Sequence, residues 1–138
     1  MREVIDNLWI GNASNARNLP ELLANGIETI VDLAVEEPPM SGTRELISCR
    51  FPIADGAGNS QERILLAVET VSRLVSLGIS TAVCCSPGMS RSPAIAAAAL
   101  TRLNGGTLNE ALEYLASSGP VDVSPLLLAE LAAALERS

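Results

Sequence analysis

The residues best placed to do chemistry are Cys85 and Arg91, in the segment Cys85-Ser-Pro-Gly88-Met-Ser90-Arg91-Ser92. A cysteine with an arginine at that distance is a weak signal, since roughly 0.2 such pairs arise by chance at these residue counts. Glycine at the third following position and serine directly after the arginine lower that to about 0.001–0.002. A loop of this length curled at a helix start turns successive backbone N–H groups toward one point, a nest for a tetrahedral oxyanion. Gly88 supplies a conformation, or a close approach, that a side chain would obstruct. Arg91 can fork two N–H bonds onto phosphate oxygens. The same N–H array and the arginine charge favour Cys85 as a thiolate without help from a histidine. A thiolate facing a bound phosphate is set up to attack phosphorus. The phosphate would be held by Ser86, Pro87, Gly88, Met89, Ser90 and Arg91.

The neighbouring sequence supplies a strand before this loop and a helix after it. Ser80–Cys84 is an apolar strand, and a helix opens near Ser92-Pro93, where proline fits a first turn. That helix, AIAAAAL, is small and apolar all round, hence buried, and ends at Gly105-Gly106. Short strands are expected at Glu3–Ile5 and Leu8–Ile10, with Gly11 closing the second. Leu19 to Asn25 has helical spacing with Gly26 as its stop. Glu28–Leu33 reads as a buried strand, and Glu36 to Thr43 as an exposed loop broken by two prolines. Leu46–Ile53 is a further strand, at an edge or bend because of Pro52. Asp55 to Ser60 is a polar, glycine-rich loop. Ile64, Val68, Val71 and Val75 mark a long helix that stops at Gly78. Thr107 and Glu110 form a capping-box pattern, and Ser124-Pro125 starts the last helix. Strands alternating with helices predict an α/β domain with a mainly parallel sheet of about five strands.

Composition narrows the chemistry further. The chain has 138 residues, no histidine and no lysine; its nine basic residues are all arginine. Ser-His-Asp hydrolysis, histidine metal sites, Schiff-base lysines and the Walker lysine are thereby excluded. The formal charge of −7 provides no basic field for nucleic acid or an anionic membrane. Three aromatic residues are too few for a base-stacking platform. No stretch is long and apolar enough to span a bilayer, and no signal-peptide plan opens the chain. The acidic residues are dispersed, with no pair implying a metal. Cys49, Cys84 and Cys85 make a poor disulfide framework, which points to a reducing cytoplasm. The expectation is one monomeric domain over residues 1–138, without cofactor or metal.

Nearly the whole chain resembles the cysteine-dependent protein phosphatases, specifically the compact dual-specificity type. IDNLWIGNASNARN resembles that family's N-terminal hairpin, LLANGIETIVDL its helix–strand step, and SPLLLAEL its terminal helix. CSPGMSRS matches its Cys-x-x-Gly-x-Ser-Arg-Ser/Thr signature. The resemblance implies that Cys85 is the nucleophile and Arg91 the phosphate clamp. It implies that Ser92 is the hydroxyl that helps the thiolate leave. Asp55, upstream in FPIADGAGN, stands where the family keeps its general acid, and its neighbouring glycines would let that loop close. Two positions depart from the pattern: Cys84 replaces the usual histidine before the nucleophile, and Leu126 replaces an asparagine after the late proline.

The implied activity is metal-independent hydrolysis of a phosphomonoester through a phosphocysteine, on a phosphoprotein or a small phosphomonoester. The loop's variable positions carry no charge, which disfavours a highly anionic substrate. Two other readings remain open from sequence. One is a phosphate- or phosphoprotein-binding module without turnover. The other is a thiol-based sulfurtransferase or arsenate reductase, which would make Cys84 or Cys49 essential. Cys49 could bridge to Cys84 or Cys85 only if its strand lay beside theirs.

Overall fold

The computed structural model describes residues 1–137. At its centre is the apolar strand that precedes Ser86, running from Thr81 to Cys85 with every residue buried. In chain order the strands are β1 (Arg2–Ile5), β2 (Leu8–Asn12), β3 (Thr29–Ala34), β4 (Ile47–Ile53) and β5 (Thr81–Cys85). They form one sheet in the order β1-β2-β5-β3-β4. β1 pairs antiparallel with β2, and the other pairings are parallel. The α/β fold with a mixed, mainly parallel five-stranded sheet is therefore as predicted.

The helices are α1 (Ala13–Ala16), α2 (Leu19–Ala24), α3 (Gln61–Ser76), α4 (Arg91–Asn104), α5 (Leu108–Ala116) and α6 (Pro125–Arg137). Because strand side chains alternate between faces, β5 feeds two cores. Val83 and Cys85 join Ile64, Val68, Ile95, Leu115 and Leu131 under α3 to α6. Ala82 and Cys84 join Ala16, Leu22, Ile27 and Ile30 under α1 and α2. α4 is buried continuously from Arg91 to Leu100, and its run of alanines lets it sit close to both the sheet and α3. The capping box at Thr107 and Glu110 forms as predicted and starts α5.

Several boundaries differ from the sequence reading. Gly11 does not close β2, because the ladder with β5 continues until Asn12 lies opposite Cys85. α1 was not anticipated; it is held by a reciprocal capping box between Asn12 and Asn15. Pro52 does mark an edge strand, with a register shift against β3 between Asp32 and Ala34. Cys49 lies on that edge strand, opposite Val31. The whole of β3 separates it from β5, a gap of about 9–10 Å at two strand spacings. A bridge from Cys49 to Cys84 or Cys85 is therefore incompatible with this fold.

Candidate active site

β5 ends at Cys85, α4 begins at Arg91, and Ser86–Ser90 curl between them. The curl depends on Gly88, whose φ is +77°, the left-handed region that favours glycine. A Cβ there would also stand 3.1 Å from the carbonyl carbon and oxygen of Gly11 on β2, so the loop packs directly on neighbouring backbone. From the far side, the segment between α5 and α6 supports the same loop. The Asp122 N–H donates to the Met89 carbonyl at 2.7 Å, and the Ser124 N–H donates to Ser90 Oγ at 3.0 Å. These two bonds support the loop although Leu126, with 61% of its surface exposed, cannot hydrogen-bond through its side chain.

Cys85 is fully buried at the start of α4, and the Ser92 N–H donates to its Sγ at 3.3 Å. Helix geometry thus points a backbone donor at the sulfur, where negative charge is favoured. The Ser92 hydroxyl does not reach the sulfur; it donates instead to the Gly11 carbonyl at 3.3 Å. Cys84, one residue earlier, faces the opposite core. Burial first, and then the neighbouring Cys85 and Asp32, push its thiol up to about 12, so Cys84 stays protonated at neutral pH. Burial likewise raises Cys49.

The Arg91 side chain is only 1% exposed. Its Nη1 donates to Glu36 Oε1 at 2.6 Å and to the Ile53 carbonyl at 2.9 Å, and its Nη2 donates to Glu36 Oε2 at 2.5 Å. Nε is buried without a partner. Burial opposes the charged guanidinium, but the Glu36 carboxylate outweighs it and holds Arg91 more firmly protonated. Reciprocally, the hydrogen bond from Arg91 is the main reason that Glu36 lies below the usual carboxylate range. This bidentate clamp fixes the fork and leaves Nε–H and the second Nη2–H for an incoming anion.

Glu36 was missed from sequence, where residues 36–43 read only as an exposed loop. That loop instead sends two carboxylates to the site. Glu37 Oε1 accepts from Ser86 Oγ at 2.8 Å. Arg50 anchors the loop's start by pairing with buried Asp32 at 2.8 Å and donating to the Ala34 and Glu37 carbonyls. The signal available in the sequence was the pair of glutamates directly before two prolines, where an immobile turn can present a side chain.

Asp55 reaches the same loop from the end of β4, thirty residues before Cys85. Its Oδ1 accepts from Ser90 Oγ at 2.5 Å. The segment around Asp55 is tied down at its far side. Asn59 accepts from the Ala54 N–H at 2.8 Å and donates to the Ala54 and Gly56 carbonyls. Glu130 on α6 accepts from the Gly58 N–H, the Asn59 N–H and Asn59 Nδ2 at 3.0–3.2 Å. Partial burial pushes the Glu130 carboxyl up, but these bonds outweigh it and hold it below its ordinary value. The glycine-rich loop is thus pinned rather than free to swing. Among the described residues, no cluster of three His, Cys, Asp or Glu side chains is arranged to hold a metal ion, and no helix is long and apolar enough to cross a membrane.

The Glu36 clamp predicts a measurable pH dependence. Glu36→Gln is expected to weaken inorganic phosphate binding about tenfold, the scale of a partly screened charged hydrogen bond. Because the Glu36 carboxyl is depressed in the folded state, its stabilisation is present above its ordinary value of 4.5 and lost as pH falls through the lower folded value. Melting curves should therefore separate wild type from Glu36→Gln at neutral pH and converge once pH has fallen through the depressed folded value. A difference that persists there would show that the clamp acts by packing, not charge.

No protein-family model and no curated protein matches this sequence. Solved structures do match its fold. Human DUSP28 superposes with a TM-score of 0.87 at 23% identity, covering 99% of this chain and 96% of that one. A mouse protein described as a putative dual specificity phosphatase, crystallised with zinc tungstate, gives 0.84 at 25% identity over 98% and 86%. The human tyrosine phosphatase-like serine/threonine/tyrosine-interacting protein gives 0.82 at 21% identity over 100% and 98%.

Proposed function

We propose, from the premise that this chain has the dual-specificity phosphatase fold, that it is a metal-independent phosphomonoester hydrolase working through a phosphocysteine. Its substrates are phosphotyrosine and phosphoserine or phosphothreonine proteins. The observation that carries the reading is the convergence of Cys85, Arg91 and Asp55 on one loop from three separate elements. A phosphate seated on the loop N–H groups and on Arg91 Nε presents phosphorus to the sulfur. The Cys85 thiolate attacks, the S–P bond forms and the P–O bond to the alcohol breaks. Asp55 gives its proton to the leaving oxygen. A water then attacks the phosphocysteine, Asp55 takes the water's proton, and the P–S bond breaks to release the thiolate. Loop N–H groups and Arg91 neutralise charge on the transferring group, the work a metal does elsewhere. The Ser92 hydroxyl would assist the second step by turning from Gly11 to the sulfur.

A phosphate-binding module without turnover is the second reading. It is favoured by the engagement of Asp55 with Ser90, which keeps the carboxyl oxygen on the loop. Hydrolysis of p-nitrophenyl phosphate in the presence of EDTA, with vanadate as competitor, separates the two. EDTA-resistant turnover inhibited by vanadate is the expected result. Vanadate binding by reduced protein without any turnover would replace the enzyme with the binding module. The form of sulfur transfer or arsenate reduction that relays through Cys84 or Cys49 finds no support in the geometry. Cys84 faces away and Cys49 is two strands distant.

A further inference from the structure

The charges around the loop carry the phosphatase reading one step further, to the kind of substrate; a substrate preference presupposes that reading. Arg91 is the only cationic residue between Cys85 and Ser92. The other charged residues bonded to that segment are all acidic. Glu36 bonds to Arg91, Glu37 to Ser86 and Asp55 to Ser90. Exposed Asp122 is joined to Met89 through its backbone. They arrive from the loop after β3, the loop after β4 and the loop before α6, so the rim is acidic from three sides. The other arginines around the loop are committed elsewhere, and Arg2, which lines one pocket with Pro87, Gly88 and Met89, donates to the Leu115 and Pro120 carbonyls. Arg17 donates to the Ala13 and Pro38 carbonyls, Arg63 to the Pro52 carbonyl, and Arg50 is paired with Asp32. Arg44 stands farther along the Glu36–Glu37 loop.

Inside this rim one buried polar group awaits a ligand. Arg91 Nε has no partner although the side chain is 1% exposed. That N–H and the second one on Nη2 form a two-pronged face that, with the loop amides, suits one phosphoryl group. Negative charge beyond that group meets Glu37 and Asp122, whereas the Glu36 carboxylate is neutralised by Arg91. In an extended peptide the residues flanking the phosphorylated one lie about 3.3 Å per residue away, well inside a Debye length of about 8 Å at physiological ionic strength. We infer that the natural substrate is a singly phosphorylated polypeptide segment with Arg or Lys beside the phosphoresidue, and that acidic segments are rejected by the Glu37–Asp122 rim. The exposed Met89, on the loop itself, gives the aliphatic stems of such cations an apolar surface.

The test uses two phosphotyrosine peptides of equal length that differ only in carrying Arg or Glu on both sides of the phosphoresidue. Their kcat/KM values are compared, with p-nitrophenyl phosphate as the charge-poor reference. The Arg-flanked peptide should be about tenfold better at low salt, the sum of a few partly exposed ion pairs. The gap should close near 1 M salt, where the Debye length is about 3 Å. It should also narrow in Asp122→Asn and in Glu37→Gln, each normalised to its own p-nitrophenyl phosphate rate. Equal or reversed preference, with p-nitrophenyl phosphate still hydrolysed, overturns charge selection and leaves the phosphatase intact. If nothing is hydrolysed, the phosphatase reading fails by itself. Calorimetric affinities for the two peptides then decide the charge question, tighter Arg-flanked binding supporting it and equal affinity overturning it.

Discussion

Cys85→Ser is expected to lower p-nitrophenyl phosphate hydrolysis by roughly 10⁴–10⁶-fold, the range seen when a member of a nucleophilic catalytic unit is removed. Phosphate binding should survive. The replacement is nearly isosteric in a fully buried site, so the loop, Gly88 and the Arg91–Glu36 clamp keep their geometry. What is lost is the nucleophilic sulfur that faces the Ser92 N–H. Steady-state rates together with calorimetric phosphate affinity check both halves. A variant that kept a tenth of the wild-type rate would place the nucleophile elsewhere. Cys84 could not be that substitute, since its thiol is pushed up to about 12 and points into the α1–α2 core.

Asp55→Asn should lower kcat by roughly 10²–10⁴-fold, the usual contribution of a positioned acid–base group. Asparagine retains an oxygen that can accept from Ser90, so the loop contact persists while the transferable proton does not. The loss should depend on the leaving group. Phenyl phosphate, whose departing oxygen needs a proton, should suffer more than p-nitrophenyl phosphate. Equal loss on both substrates would mean that Asp55 positions the loop and transfers no proton.

These expectations rest on residues that were legible to different degrees. Cys85 and Arg91 were readable as a pair because an anion nest needs consecutive backbone, and consecutive backbone is what a sequence displays. α4 was readable because alanine on every side leaves no face for water. Asp55 was found through resemblance, and its contact with Ser90 spans thirty-five positions that no local pattern encodes. Glu36 was invisible for the same reason at greater range. A carboxylate on a proline-rich turn looks solvated until the fold brings an arginine fifty-five residues away beneath it. The ends of β2 and the position of Cys49 were decided by which strand lies next to which, a property of topology. The four-residue α1 was too short for periodicity to register, although its two asparagines at capping distance were on display.

The knot between Asn59 and Glu130 makes two distant motions into one. For Asp55 to leave the phosphate loop by a swing of its whole segment, the Gly58 and Asn59 amides must let go of α6. Release of the Glu130 side chain would therefore ease withdrawal of Asp55 from Ser90. A partner gripping α6 would thereby act on the contact between Asp55 and Ser90 from the far side of the segment that joins them.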